Sequence, residues 1–196
     1  MIKAIVFDFN GVFVKAPEPR VIQRVRDAKG TGAWVAKSNY LLNLWDLERG
    51  FIDPFEFWKK VFVDLTKEEY FKFIVDEYDK PADKDEDVFY IAEKLAKKYD
   101  LYLISNSNFL QGKAYRKQKL YKLFKEFFLS HETREIKPFP DAYSNFFKET
   151  KLKPKDCLFI DDSTTNILTA MIFGMKGIVF QDAEHLEQKL KKMKLL

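Results

Sequence analysis

The opening fourteen residues, MIKAIVFDFNGVFV (1–14), decide how the chain is read. From Ile2 to Phe7 the run is apolar apart from Lys3, and it stops at Asp8. A strand buried on one face alternates apolar and polar residues, whereas a central parallel strand, covered on both faces, reads as a continuous apolar run. Residues 2–7 therefore read as the central strand of a parallel sheet, with Asp8 and Asn10 at its C-terminal end. The stretch is too short and too charged for a signal peptide, and no small-residue cleavage site follows it.

Outward from that strand, similar short runs recur at 101–104 (LYLI), 127–129 (FFL), 157–160 (CLFI) and 177–180 (GIVF), separated by segments of helical spacing. Strand alternating with helix predicts an α/β fold, a Rossmann-like parallel sheet core flanked by helices. One long interval breaks the alternation. Residues 16–81 hold no convincing strand but carry two explicit helix starts: Asp53-Pro54 with Glu56, and Thr66 with Glu69. Trp45, Phe55, Phe57, Trp58, Phe62, Tyr70, Phe71 and Ile74 supply apolar faces there, and Pro17, Pro19 and Pro81 mark the exits. The expected organisation is a core of residues 1–15 and 82–196 interrupted by an all-helical cap, 16–81, with a small core of its own. Past the interval, DKDED (83–87) opens a helix with Val88, Ile91 and Leu95 as its buried stripe.

At 196 residues and 23.3 kDa the chain has room for one domain with a modest insertion. Its 46% hydrophobic content, with 20 Phe, argues against wholesale disorder. The net charge is only +4, and of 34 basic residues six are Arg, so the concentrated Arg-rich face of a nucleic-acid reader is missing. One cysteine, Cys157, and two histidines exclude an internal disulfide and a structural zinc site. A reducing, cytoplasmic setting is expected, with neither nucleic acid nor membrane as partner, and the chain acting as a monomer or small homo-oligomer. The amphipathic C-terminus (EHLEQKLKKMKLL) needs no membrane, because Leu186, Leu190 and Met193 suffice to dock it.

The chemistry gathers at predicted strand ends: Asp8 with Asn10, Ser105 with Asn106, and Asp161 with Asp162. In open α/β sheets ligands bind at that edge. Lys137 follows the FFL strand, just before Pro138. Acidic groups at two strand ends can grip a hard cation such as Mg²⁺, while Ser105 and Lys137 offer a hydroxyl and a point positive charge to phosphate oxygens. Together they describe a Mg²⁺-assisted phosphate site.

FDFNGV, LISNSN, KPFPDAY and FIDDSTTNI, in this order, resemble the four motifs of the haloacid dehalogenase superfamily of hydrolases. Within it, LERGFIDPFEFW resembles the helical cap of the branch that holds sugar-phosphate phosphatases and the N-terminal phosphatase domain of soluble epoxide hydrolases. The resemblance implies that Asp8 is a nucleophile forming an aspartyl-phosphate. It implies that Ser105, with Asn106 close by, binds phosphoryl oxygens and that Lys137 balances the charge. It also implies that Mg²⁺ binds the Asp8 carboxylate, the Asn10 backbone carbonyl and Asp162 directly, with Asp161 acting through water. The implied activity is hydrolysis of a small phosphorylated metabolite; the alternatives are a hydrolytic dehalogenase and an attenuated binder of phosphate and metal.

The sequence departs from the family at Asn10, where phosphatases usually carry a second Asp that protonates the leaving oxygen and later activates water. An amide cannot shuttle that proton, and losing a general acid/base costs about 10² to 10⁴ in rate. Arg134 and Phe139 depart from the usual Gly and Asp in loop details. His131 is a stand-in of low standing for the missing acid. Two further features read as structural: the basic, aromatic stretch 113–125 as a solvated helix with Leu120, Leu123 and Phe124 inward, and Trp34, Trp45 and Trp58 as core of the insertion.

Overall fold

A computed structural model describes residues 1–196. The first strand, β1 (Ala4–Phe7), lies in the middle of the sheet, and its alternate side chains enter different layers. Ile5 and Phe7 join one buried cluster, and Ala4 and Val6 join the other on the opposite face. Both faces are therefore apolar, as the unbroken run requires.

The chain leaves β1 through a tight turn into β2 (Val14–Lys15), which pairs antiparallel with β3 (Asp83–Lys84). Neither strand is apparent in the sequence. Each has two residues, too few to show a period, and Asp83 and Lys84 belong to a charged stretch that reads as a helix start. The helix there begins only at Glu86, capped by Asp85.

Between β2 and β3 every regular element is helical: α1 (Glu18–Lys29), α2 (Ala33–Glu48), α3 (Pro54–Val61), α4 (Lys67–Glu69), a π-wound stretch (Tyr70–Val75) and α5 (Asp76–Asp79). Thr66 and Glu69 form the reciprocal capping box, at 3.2 and 2.8 Å. Asp53 caps α3 through the N–H groups of Phe55 and Glu56, without a return bond from Glu56. The aromatic residues of the insertion do not all face its core. Trp58 is fully buried, but Trp34, Trp45 and Phe71 are more than half exposed. Apolar residues surround α2 on all sides, more than one packing face can cover, and only Ala36 and Leu47 are fully buried. Nor is the helical core separate: Val21, Ala36, Leu47, Phe57 and Trp58 share one continuous cluster with Ile5, Phe7 and Leu103 of the sheet.

After β3 the chain alternates through α6 (Glu86–Ala96), β4 (Asp100–Ser105), α7 (Phe109–Lys117), β5 (Glu126–Leu129), α8 (Ser130–Thr133), α9 (Pro140–Thr150), β6 (Cys157–Asp161), α10 (Thr164–Ile172), β7 (Lys176–Val179) and α11 (Ala183–Lys192). The helix read over 113–125 ends at Lys117. Lys119 is left-handed (φ 57°), so Leu120 and Phe124 are buried from a turn, not from a helical stripe. On α11, Leu186 and Leu190 are fully buried, which accounts for its amphipathic pattern. No helix is long and apolar enough to cross a membrane.

The five long strands are all parallel, in the order β5-β4-β1-β6-β7. From β1 the chain steps outward through β4 to β5, then returns to β6 on the other side of β1. The order thus reverses between β1 and β6, the place where an open sheet leaves a crevice beyond its strand ends.

Candidate active site

Register brings the acidic residues together. Phe7 pairs with Ile160, and the Asp8 N–H donates to the Ile160 carbonyl at 2.8 Å, so Asp8 and Asp161 emerge side by side at the crevice. Lys137, 3% exposed, inserts its Nζ between them, 2.8 Å from Asp8 Oδ1 and 2.7 Å from Asp161 Oδ2. Asn106 holds Lys137 in place from both sides of its backbone: Nδ2 donates to the Lys137 carbonyl and Oδ1 accepts the Lys137 N–H, each at 2.9 Å. The Asn106 side chain is thereby occupied in positioning Lys137. Ser105 lies buried at the end of β4, its hydroxyl making only a long 3.4 Å contact to the Asn106 carbonyl.

The two tandem acids have different surroundings. Asp161 is fully buried and saturated with donors, from Lys137, the Ser163 N–H (2.8 Å) and Asn166 Nδ2 (3.0 Å to each oxygen). Ser163, and neither aspartate, caps α10. Asp162 is exposed and reaches across to Gly11. Gly11 has φ +85°, which favours glycine in the turn after β1, and a Cβ there would overlap Asp162 Oδ2 and push that carboxylate aside.

One oxygen from each of Asp8, Asp161 and Asp162 falls within 4.8 Å of the others. The donors are hard carboxylate oxygens, three anions face a single ammonium, and Asp8 Oδ2 accepts no hydrogen bond, since Phe9 N–H and Lys137 both use Oδ1. That chemistry fits a divalent cation. Without one, burial pushes Asp8 up to about 7, reinforced by Asp161 and opposed by Lys137. Partial desolvation of the Asp162 carboxyl at the crevice raises its pKa too, with Asp161 adding to it. For Lys137, burial works to lower the amine, but the two carboxylates outweigh it and hold the pKa above the ordinary lysine value.

A family model for haloacid dehalogenase-like hydrolases matches residues 2–174. The chain belongs to the haloacid dehalogenase-like hydrolases. It is 28% identical to the D-ribitol-5-phosphate phosphatase of Bacteroides thetaiotaomicron, over 97% of each chain. A stretch of 54 residues is 39% identical to flavin mononucleotide hydrolase 1 of Arabidopsis thaliana, covering 28% of this chain and 22% of that protein. In architecture it is similar to a haloacid dehalogenase family enzyme from B. thetaiotaomicron solved with magnesium and inorganic phosphate: TM-score 0.79, 25% identity, 95% of this chain and 99% of that one.

In this haloacid dehalogenase-like chain, Asn10 is built into the wall. Its Nδ2 donates to the Asn106 carbonyl (3.2 Å) and to Gln111 Oε1 (3.4 Å), and its Oδ1 accepts from the Tyr115 hydroxyl (3.1 Å). Gln111 is fixed in turn by the capping box at the start of α7, where Oε1 accepts the Asn108 N–H at 3.0 Å, and by Nε2 donating to Glu18 at 3.2 Å. Glu18, on the first turn of α1, also accepts from Tyr78 (2.7 Å) and Asn108 (2.8 Å). Burial raises its pKa against these three hydrogen bonds.

His131 stands apart from this group. Its Nδ1 lies 3.0 Å from the Ser107 hydroxyl and 3.2 Å from the Ser107 carbonyl, and burial lowers its pKa. The ring is a brace between the β4 and β5 ends.

Sequence reasoning passed over Gln111, Tyr115, Asn166 and Glu18. Asn166 had a signal, being three residues after the cap Ser163 and inside the last motif. Asn108 and Gln111 had one too, a capping-box spacing directly after a strand. Glu18 follows the first motif by six residues, but nothing local marks it, and the packing of α1 against α7 brings it to Gln111 and Asn108.

Proposed function

We propose that the chain is a phosphomonoester hydrolase that works through an aspartyl-phosphate on Asp8 and requires a divalent cation, Mg²⁺ by preference. The observation that carries this reading is the Asp8–Lys137–Asp161 arrangement at the reversal of strand order, with the outer oxygen of Asp8 free of hydrogen bonds. The similarity to a phosphatase over 97% of the chain, and to a family enzyme solved with magnesium and inorganic phosphate, supports it. Asp8, the Asn10 backbone carbonyl and Asp162 would hold the ion. Asp161, saturated by Lys137, Ser163 and Asn166, would act on it through water. When bound, the ion offsets the negative charge of the phosphoryl group and of the carboxylates around it.

The chain's own residues perform the rest. Asp8 Oδ2 attacks phosphorus, forming an O–P bond as the P–O bond to the alcohol breaks. Lys137 stays at Oδ1, so the attacking carboxylate is oriented by a charge that does not move. Ser105 offers its hydroxyl to a phosphoryl oxygen, and Asn106 acts by positioning Lys137. The helices 16–81 form a cap over the crevice, excluding water and selecting the alcohol part of a small phosphorylated metabolite. A hydrolytic dehalogenase would have no use for the carboxylate cluster.

Release of inorganic phosphate from a panel of phosphomonoesters, with Mg²⁺ and with chelator, tests the reading, alongside Asp8→Asn. Activity in Mg²⁺ that both the chelator and Asp8→Asn abolish is expected. Activity that survives Asp8→Asn would remove Asp8 from the chemistry.

A further inference from the structure

Glu18 opens α1 just past β2 and is 4% exposed. Its partners are three neutral donors: the Tyr78 hydroxyl (2.7 Å) and Asn108 Nδ2 (2.8 Å) on Oε1, and Gln111 Nε2 (3.2 Å) on Oε2. Burying a carboxyl is costly unless hydrogen bonds satisfy it. Here the donors come from α5 and from the start of α7, so the first and last helices of the insertion meet the core at this one group.

With three donors aimed at it, the Glu18 carboxyl is an acceptor on both oxygens, and that fixes the direction of the amides beyond it. Gln111 must turn Nε2 toward Glu18, which leaves Oε1 to accept from the Asn108 N–H at 3.0 Å and from Asn10 Nδ2 at 3.4 Å. Asn10, with Nδ2 so directed, presents Oδ1 to the Tyr115 hydroxyl. Asn108 is held in the same sense, because Nδ2 donates to Glu18 while Oδ1 accepts the Gln111 N–H at 3.1 Å. Neither amide can turn over. A reversed Gln111 would set its NH₂ against the Asn108 N–H and Asn10 Nδ2, and a reversed Asn108 would set its NH₂ against the Gln111 N–H. The order of donors and acceptors from α1 to the β1 turn is therefore set by the acceptor at position 18.

Resting on the phosphohydrolase reading, we propose that Glu18 is a positioning residue of the reaction. Acting through Gln111, it fixes the Asn10 amide and with it the turn after Asp8, whose Asn10 backbone carbonyl would face the cation. Seating of the inserted helices and alignment of that turn are then one hydrogen-bonded unit.

The test is Glu18→Gln, alone and combined with Gln111→Glu, in the full chain. Alone, Glu18→Gln puts an NH₂ against either Gln111 Nε2 or Asn108 Nδ2, donor facing donor in both orientations. The exchange pairs every group again: the amide oxygen at position 18 accepts from Tyr78 and Asn108, its NH₂ donates to the carboxylate at position 111, and that carboxylate accepts from the Asn108 N–H and Asn10. Two constants are read on folded protein, kcat on a phosphomonoester that the wild type cleaves and the calorimetric dissociation constant of Mg²⁺ without substrate. Glu18→Gln should lower kcat and weaken Mg²⁺ binding by about 10- to 100-fold each, with KM little changed. The exchange should recover both, a coupling of about tenfold or more between the two positions. Gln111→Met cuts the same connection without opposing any donors and should lose both constants too, so the test stands even where Glu18→Gln fails to fold. Wild-type kcat and Mg²⁺ affinity in a folded single variant, or an exchange variant that folds and stays as impaired as Glu18→Gln, would overturn the assignment. A folded wild type that releases no phosphate from any ester would overturn the phosphohydrolase reading, while the Mg²⁺ affinities of the same variants would still decide whether Glu18 holds the β1 turn.

Discussion

Asn10→Asp looks like a repair by sequence and is a disturbance by structure. It exchanges the two amide hydrogens of Nδ2 for lone pairs where the partners are themselves acceptors, the Asn106 carbonyl at 3.2 Å and Gln111 Oε1 at 3.4 Å. Gln111 cannot turn to donate, because Oε1 caps Asn108 and Nε2 is committed to Glu18. Ionised, the new carboxylate has only the Tyr115 hydroxyl to stabilise it; protonated, it can donate to the Asn106 carbonyl and the loss is small. A buried acceptor left without its donor costs about 1–3 kcal/mol. At 1.36 kcal/mol per pKa unit, that cost raises the new carboxyl by roughly one to two units above the unfolded value of about 3.9. Below about pH 4 both states hold the proton and no penalty appears. From about pH 4 to 6 the unfolded chain ionises first and stability drains away; above about pH 6 the full loss of about 1–3 kcal/mol persists. Urea unfolding of both proteins in metal-free buffer at pH 4 and pH 7.5 measures the difference. A variant as stable as wild type at pH 7.5 would refute the claim that the pocket at position 10 is fitted to an amide.

Lys137→Met leaves Asp8 and Asp161 buried without their shared ammonium, and a loss of about 3–5 kcal/mol is expected at pH 7, checked by guanidinium unfolding beside the wild type. Gly11→Ala, at φ +85° and against Asp162 Oδ2, should cost about 1–3 kcal/mol of stability. By displacing Asp162 it should also lower Mg²⁺-dependent turnover about 10²-fold, measured at saturating substrate. Mg²⁺ at about 100 times its dissociation constant should stabilise the fold by about 2.7 kcal/mol, read as a rise in Tm that Asp162→Asn removes.

The sheet was legible because its signal is redundant. Each core strand is an apolar run stopped by a polar residue, and register then carries Asp8 beside Asp161 with no further information. Helix starts were legible where a side chain caps its own backbone, as at Thr66, since that interaction is local. What could not be read depends on packing. The exposure of Trp34 and Trp45 follows from how much of α2 its neighbours cover, and β2 and β3 are too short to show a period. At the site, residue types and strand ends were visible, but the division of labour was not. Asn106 stands where a phosphate ligand is expected, yet its side chain is spent on the backbone of Lys137, and that follows from a loop 31 residues away.

Charge balance explains why an amide suits position 10. Asp8, Asp161 and Asp162 set three negative charges against one positive charge on Lys137, and a divalent cation would bring that cluster to neutrality. A further ionised carboxylate on the β1 turn would leave it negative again, beside the buried Glu18 and against the Asn106 carbonyl. An amide at position 10 adds no charge and uses its hydrogens to tie β1 to the strand that carries Ser105.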